Sequence, residues 1–289
     1  METSRREFML ATAAALGAGR TAAAQPSTLS ADQVVNRIRT KIGIVWRPQT
    51  TDGFKAGDPS TTVTGIATVV LPTLDVLKRA VSGGQNLIIT LEPTFYAAND
   101  EPGNRAKDPV YLAKKAFIDE HHLVIFRLSE HWNARQPNEG AKALAAAMKW
   151  TSTLPDAAQV YTVPETTLGG LVAQVRGRLP LRGGLRVVGQ PAMRVRTVFV
   201  APGTTSLASA VANLPLADVI LAGEPREWEA VPYTLDTWST DRGKGLIAIG
   251  RVVSQAPGLQ ACAAWIRLVV GDVRVESIAP SDPYWSVTS

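Results

Sequence analysis

Four short apolar stretches of the chain are each followed by polar side chains that could do chemistry. The loops after them begin at Leu91, Ser129, Gly223 and Arg251. In open α/β sheets, ligands bind at the carboxyl ends of the strands, so we expect these loops to converge on one crevice. The polar residues that they bring to it are Glu92, Glu130, His131, Glu224, Arg251, Ser254 and Gln255.

Glu92, Glu130 and His131 are compatible with two kinds of catalytic site. A pair of carboxylates can do general acid–base catalysis, or can supply hard oxygen ligands to a divalent metal. His131 could be a third ligand or a base. The competing interpretation is a buried ionic network, because a buried Arg251 keeps its charge and needs carboxylate partners such as Glu92 and Glu130. The sequence favours the ionic network.

Three further features carry weaker signals. No Gly-x-Ser-x-Gly elbow surrounds Ser254, so a capping hydroxyl is favoured over a nucleophile. His121 and His122 lie between a predicted helix end and a strand start, where a surface position beside the helix dipole is the simpler interpretation. Cys262 lies on a helical apolar face and is expected to act as a small hydrophobe.

The segment Gly53–Pro59 has two glycines four residues apart and precedes a predicted strand. Such a loop could hold an anion through its backbone amides. It could equally be a turn that lays the chain across the crevice. The sequence leaves these two interpretations open.

The first 24 residues have the order of features of an export signal. Arg5-Arg6 precedes an alanine-rich apolar stretch over residues 9–18, and Ala22-Ala23-Ala24 provides small residues before Gln25. This pattern predicts a twin-arginine signal peptide and a periplasmic or secreted mature chain. The apolar stretch is shorter than the roughly 20 residues of a membrane span, and we expect no span later in the chain.

Charge and cysteine content exclude several classes of protein. The formal net charge of +5 is mild and the basic residues are scattered, so no nucleic-acid surface is predicted. The single cysteine allows neither an intramolecular disulfide nor a cysteine zinc site. Residues 25–289 are enough for one large domain or for two closely packed ones.

Helical and strand patterns alternate along the whole chain, which predicts an α/β fold. The predicted strands cover residues 63–70, 87–90, 123–128, 159–163, 186–189, 195–200, 218–222, 245–250 and 273–278. The predicted helices cover residues 31–41, 73–83, 109–119, 137–150, 166–179, 206–213, 225–233 and 259–269.

The order of eight segments resembles the Nif-three-like family of dinuclear-metal-centre hexameric proteins, the GTP cyclohydrolase I type 2 homologues. The segments are DGFKAGD (52–58), VTGIAT (63–68), TLDVL (73–77), LIITLEPTFY (87–96), RLSEHW (127–132), AGE (222–224), GRVVSQAPG (250–258) and DPYW (282–285). The resemblance implies an α/β fold of two related, intimately packed halves with mixed sheets over residues 25–289. It also implies a toroidal homohexamer and two bound divalent metals.

The family's metal ligands fall on residues of this chain that coordinate poorly. The family's histidine pair falls on Leu91 and Glu92, its middle aspartate on Glu130, its late histidine on Arg251 and its late glutamate on Gln255. Leu91 has no donor atom, Arg251 repels cations, and a two-metal site needs several anionic or imidazole ligands. We therefore expect no metal cofactor and a non-catalytic or ligand-binding protein, with a small anion as a possible ligand. The alternative is a hydrolase with one metal on Glu92, Glu130 and His131.

Overall fold

The computed structural model describes residues 28–152, 159–271 and 273–286, in two mixed β-sheets with helices packed against them. The predicted signal peptide, residues 1–24, lies outside the described residues. The strands are β1 (Gly53–Ala56), β2 (Ile66–Val69), β3 (Leu87–Thr90), β4 (Val124–Arg127), β5 (Thr151–Ser152), β6 (Val160–Thr167), β7 (Arg186–Val188), β8 (Arg194–Thr205), β9 (Val219–Pro225), β10 (Gly245–Ala248) and β11 (Val275–Ser277).

The helices lie between the strands in the order that the sequence predicts for an α/β fold. They are α1 (Ala31–Lys41), α2 (Leu74–Ser82), α3 (Pro109–Glu120), α4 (Glu130–Ala134), α5 (Glu139–Ala147), α6 (Leu168–Arg178), α7 (Leu207–Asn213), α8 (Ala230–Ser239) and α9 (Arg251–Val270), with a short 3-10 helix at Gly103–Lys107. Side chains cap the N-termini of several helices. Ser30 and Gln33 form a capping box on α1, and Asp108 caps α3 before Pro109. The prediction of an α/β fold with mixed sheets is confirmed.

The first sheet has the strand order β1-β4-β3-β2-β11, in which only β1 is antiparallel to its neighbour. Every residue of β2, β3 and β4 is buried, as expected for parallel strands covered on both faces. The second sheet has the order β5-β6-β8-β9-β10-β7, with β8, β9 and β10 parallel. We call the part around the first sheet the first half, and the part around the second sheet the second half.

Helix α9 connects the two halves. Cys262 and Ile266 are buried in the core of the first half, and Val253 is buried in the core of the second. The helix also crosses α5 at close range, because a Cβ placed on Gly258 would lie 2.8 Å from the Cα of Gly140. Glycine at position 258 therefore lets α9 approach the backbone of α5 this closely.

Several predicted boundaries are wrong. Helix α9 begins at Arg251 rather than 259, because Pro257 is accommodated inside it. Helix α8 begins at Ala230 rather than 225 because β9 extends through Pro225. The glycine-spaced segment after Asp52 is the antiparallel edge strand β1, paired with β4, and not a loop. Helix α4 begins at Glu130, where a loop was expected.

No helix within the described ranges combines the length and the apolar composition needed to cross a bilayer.

Candidate functional site

A polar pocket of about 320 Å³ lies between the two halves. We call it the inter-half pocket. The loops after β3 and β4 line it from the first half, and the bulged end of β8 lines it from the second half. The first turns of α9 complete the lining. Its lining residues are Leu91, Glu92, Arg127, Ser129, Asn133, Asn138, Gln159, Phe199, Ala201, Pro202, Gly203, Thr204, Ser209, Arg251 and Gln255.

Arg251 is the first residue of α9 and is bound on all three guanidinium nitrogens. Its Nη1 donates to Oε2 of Glu92, its Nε donates to Oε2 of Glu224 at 2.7 Å, and its Nη2 donates to the hydroxyl of Thr204. Burial would lower the pKa of Arg251, but the two carboxylates outweigh it and raise that pKa. The cation is therefore held in place, and its charge is balanced by the two carboxylates.

Glu92 is aimed at Arg251 by the turn that follows β3. The hydroxyl of Thr90 donates to the carbonyl oxygen of Glu92 at 2.9 Å and accepts from its N–H at 3.2 Å, which folds the chain back at the strand end. The Glu92 side chain is 6% exposed, whereas that of Glu224 is 58% exposed. Of the two carboxylates, Glu92 depends far more on the arginine, because water reaches Glu224.

Ser254 and Gln255 lie on the first turns of α9 and differ in their partners. The buried hydroxyl of Ser254 donates to the carbonyl oxygen of Arg251 at 2.7 Å and accepts from the N–H of Gly203 at 3.0 Å, so it ties α9 to β8. Gln255 is 7% exposed, and its Oε1 accepts no hydrogen bond from any described residue. An unpaired buried carbonyl oxygen in a pocket is a site for a ligand or water donor.

The expected pairing of Glu130 with Arg251 is wrong. Glu130 starts α4 outside the inter-half pocket and accepts from the N–H of Thr51 at 3.0 Å and from the hydroxyls of Thr50 and Thr51. Burial alone would raise the pKa of Glu130, but these hydrogen bonds and the nearby Arg47 outweigh it and lower the pKa to about 2. The α4 residue that does face the pocket is Asn133, one turn later.

His131 could have been a ligand or a base in the crevice, but the structure holds it elsewhere. Its ring is fully buried and stacks on Trp46 with the ring centroids 3.7 Å apart. The Nδ1 atom lies 2.8 Å from Oδ2 of Asp52, and Nε2 accepts from the N–H of Arg47 at 2.9 Å. Both ring nitrogens are thus bound to protein, which leaves neither for a metal or a substrate.

Asp52 explains why α4 begins where it does. Its carboxylate accepts from the backbone N–H groups of Ser129, Glu130 and His131 at 2.7–3.0 Å. Asp52 is 77 residues away from Ser129 along the chain, so no local sequence pattern marks this cap. The loop expected at Ser129 is a helix start because of this long-range contact.

A cluster of cations around Asp100 was missed by sequence reasoning. The Asp100 carboxylate accepts from Nη1 of Arg127 at 3.1 Å and lies 3.8 Å from Nζ of Lys55. Arg127 also donates to the carbonyl oxygen of Ala98 at 2.6 Å and from Nε to the Ser129 hydroxyl at 3.1 Å. The sequence did contain a signal, because an arginine that ends a buried apolar strand must find buried partners.

Lys114 belongs to the same cluster. It is 2% exposed, donates from Nζ to the carbonyl oxygen of Thr94 at 2.5 Å and lies above the ring of Tyr96. Burial lowers the pKa of Lys114 to about 8, against the raising effect of Asp100.

The weaker sequence candidates lie away from the inter-half pocket. His121 and His122 follow the end of α3, where His121 packs against Phe117. The β1 segment is hydrogen-bonded to β4 and contributes no residue to the pocket lining, so it is not an anion-binding loop at this pocket, which was one of the two interpretations that the sequence left open. Cys262 is fully buried, and burial raises the pKa of its thiol to about 12.

Of the five positions on which the resemblance placed metal ligands, all but Glu130 meet in the pocket. Leu91, Glu92, Arg251 and Gln255 all line it. Among the residues that the structure describes, no three His, Cys, Asp or Glu side chains stand close enough together to hold a metal ion. The trio Glu92, Glu130 and His131 expected for a one-metal site is not assembled.

Comparison with known proteins agrees with this architecture. The family model for Duf34/NIF3 (NGG1p interacting factor 3) matches residues 46–237. Staphylococcus aureus hypothetical protein SA1388 has a similar structure, with a TM-score of 0.71, 16% identity, and coverage of 90% of this chain and 100% of that one. No curated protein sequence matches the chain.

Two more solved structures are similar in fold. A Bacillus cereus protein related to NIF3 has a TM-score of 0.70 at 13% identity, covering 90% of this chain and 100% of its own. Reduced HcgD from Methanocaldococcus jannaschii has a TM-score of 0.60 at 16% identity, covering 86% and 97%. At these identities the likeness concerns the fold alone.

Proposed function

The chain belongs to the Duf34/NIF3 family, and from this premise we propose that it is a metal-independent, non-catalytic member that binds a small molecule in the inter-half pocket. The main support for metal independence is the ion pair of Arg251 with Glu92 in that pocket. A guanidinium there supplies the positive charge that bound metal ions would supply, and it cannot be removed by deprotonation.

The donor set does not fit a dinuclear metal centre. Leu91 has no donor atom, Gln255 offers a neutral oxygen, and the Glu92 carboxylate is engaged by Arg251. A metal ion placed on Glu92 would face a fixed cation at contact distance, with too little negative charge to offset either. No catalytic step through a metal is therefore derived for this chain.

The rest of the lining supports binding. Apolar walls from Phe199 and Pro202 face amide and hydroxyl groups of Asn133, Thr204 and Gln255. A concave site with a few convergent polar groups on apolar walls is the usual form of a small-molecule site, and this volume lies at the small end of that class.

Metal analysis tests the metal-independent part of the proposal. Residues 25–289 are produced with zinc, manganese and iron supplied, dialysed, and analysed for metal beside Glu92→Gln. We expect both proteins to hold far less than one metal per chain. Stoichiometric metal in the natural protein that is lost in Glu92→Gln would refute the proposal.

We also propose that residues 1–24 direct export of the chain through the twin-arginine route. The supporting observations are Arg5-Arg6, the apolar stretch and the small residues before Gln25. Expression in a bacterium with an active twin-arginine system should give a periplasmic protein that begins at or near Gln25. Arg5→Lys/Arg6→Lys should keep it in the cytoplasm, and unchanged export of that variant would contradict the route.

A homohexamer is the assembly that the family resemblance implies, and we propose it here. Large apolar side chains exposed on and before α7 and α8 support self-association, because exposed apolar patches mark interaction sites. They are Leu207, Val211, Trp228 and Leu235. Light scattering should give the mass of an oligomer, reduced in Trp228→Lys/Leu235→Lys. A monomer at micromolar concentration would contradict the proposal.

A further inference from the structure

Arg127, rather than Arg251, is the cation of the inter-half pocket that has donors to spare. Arg251 uses all three nitrogens and faces two carboxylates. Arg127 uses Nε and Nη1 for Ser129, Ala98 and Asp100, whereas its Nη2 has no hydrogen-bond partner among the described residues. Its side chain is only 11% exposed and lines the pocket.

The surroundings of Arg127 carry more positive than negative charge. Asp100 is the carboxylate in direct contact with it, and the same carboxylate faces Lys55 and lies near Lys114. Asp52 reaches Arg127 only through the Ser129 hydroxyl, and its oxygens are taken by the start of α4 and by His131. Three largely buried cations around one carboxylate are costly unless an anion completes the site.

Gln255, on α9, provides an independent observation. It is more than nine-tenths buried, it lines the pocket, and its Oε1 accepts no hydrogen bond within the described part of the chain. A buried carbonyl oxygen without a donor is unfavourable, and a ligand O–H or N–H would satisfy it.

We propose that the pocket binds a small organic acid, with its carboxylate on Arg127 and a hydroxyl or amide N–H of the same molecule on Gln255. The proposal rests on the proposed function, since it names the ligand class of that pocket. A carboxylate suits the site because one guanidinium nitrogen is free, and a phosphate dianion would need more donors to offset its charge. The apolar wall of Leu91 and Phe199 leaves space for a hydrocarbon part of the acid.

Calorimetric titration of metal-free residues 25–289 tests the ligand class. The probes are lactate and phenyllactate, the matched acids without the hydroxyl (propionate and phenylpropionate), the neutral amides of the two hydroxy acids, and inorganic phosphate. We expect at least one hydroxy acid to bind about tenfold more tightly than its deoxy counterpart, and its amide not to bind. The proposal is overturned if no acid binds at 10 mM, roughly the weakest affinity of interest, if an amide binds as well as its acid, or if phosphate binds most tightly.

Variants at Gln255 test the geometry without disturbing the packing of Arg127. Gln255→Met keeps size and removes the acceptor, so the preference for the hydroxy acid over the deoxy acid should disappear. Gln255→Glu adds an anion and should weaken every acid about tenfold or more. Gln260→Glu is the matched control, the same change at an exposed position of the same helix, and should leave binding unchanged. Equal effects of Gln255→Glu and Gln260→Glu on binding would overturn the proposal.

Arg127→Met should abolish binding of the acids, provided that its circular dichroism matches that of the natural protein. If it does not fold, the Gln255 variants decide the matter. Metal analysis of the same samples separates the two claims. Metal-free protein that binds no acid refutes the ligand class alone, and stoichiometric metal refutes the proposed function.

Discussion

Arg251 and Glu92 form an ion pair between the start of α9 and the turn after β3. The Glu92 side chain is 6% exposed and that of Arg251 is 28% exposed, so the carboxylate is much the more buried partner. Because α9 packs into both cores, this contact joins the first half to the helix that holds the second half in place. The pair therefore links the electrostatics of the pocket to the stability of the whole chain.

Removing the arginine should destabilise the protein. In Arg251→Met, the buried Glu92 loses its counter-charge, and we expect the free energy of unfolding to fall by roughly 1–3 kcal/mol, less than for a fully buried pair because water reaches the guanidinium. Urea unfolding followed by circular dichroism measures the change. Glu224→Gln is the control and should cost less than about 0.5 kcal/mol, because its carboxylate is well exposed.

The double variant Arg251→Met/Glu92→Leu gives the sharper version of this test. If the loss in Arg251→Met arises from a stranded carboxylate, removing that carboxylate as well should restore much of the lost stability. Additive losses in the double variant would show that the arginine stabilises the protein through contacts other than the pair.

Introducing histidine and carboxylate side chains into the inter-half pocket should create a metal site. Leu91→His, Arg251→His and Gln255→Glu combined with Asn133→Asp would place imidazoles and carboxylates around Glu92 in the inter-half pocket. We expect this variant to retain zinc through dialysis, measured by elemental analysis. Arg251→Ala is the control, since it removes the cation without adding ligands. Zinc retained equally by both proteins would mean that the arginine alone excludes the metal.

The sequence predicted local features well where the physical cause is local. Helix α1 begins as predicted because Ser30 caps it, and Asp108-Pro109 marks the start of α3 in the same way. The prediction was wrong where the cause is a distant contact. The carboxylate of Asp52 binds the backbone N–H groups at Ser129 and His131, so a helix begins where a loop was expected, and Glu130 and His131 lie outside the pocket.

Pro257 misled the sequence reasoning about α9. A proline predicts a helix boundary, yet here it lies inside a helix of 20 residues that packs against α5 and both cores. The pocket positions Glu92, Arg251 and Gln255 were nevertheless found, because they follow buried strands. Arg127 was missed because it lies inside the strand pattern, and its role depends on Asp100, 27 residues away in sequence.

The pKa of Glu130 predicts a loss of stability in acid. Burial favours its neutral form, but hydrogen bonds from Thr51 and Thr50 prevail and lower the pKa from 4.5 to about 2. The folded state therefore binds this proton less readily than the unfolded state, so the stabilisation is present above pH 4.5 and is lost as the pH falls towards 2. Glu130→Gln should cost about 1–2 kcal/mol at pH 7 and less at pH 3. Exposed Glu120→Gln is the control, and a cost independent of pH would contradict the assignment.

Lys114 predicts a gain in stability as the solution becomes alkaline. Burial lowers its pKa from 10.5 to about 8, although Asp100 acts against the shift. Between these two values the unfolded chain binds the proton and the folded chain does not, so the contribution of Lys114 to stability rises with pH through this window. Below pH 8 both states carry the charge, and the cost of burying it is constant.

Lys114→Met should therefore be more stable relative to the natural protein at pH 7 than at pH 10, by roughly 1–3 kcal/mol. Urea unfolding at the two pH values measures the difference, and exposed Lys115→Met on the same helix is the control. If both variants follow the pH dependence of the natural protein, the ammonium of Lys114 is not destabilised by burial and the charge surplus around Asp100 is smaller than the contacts imply.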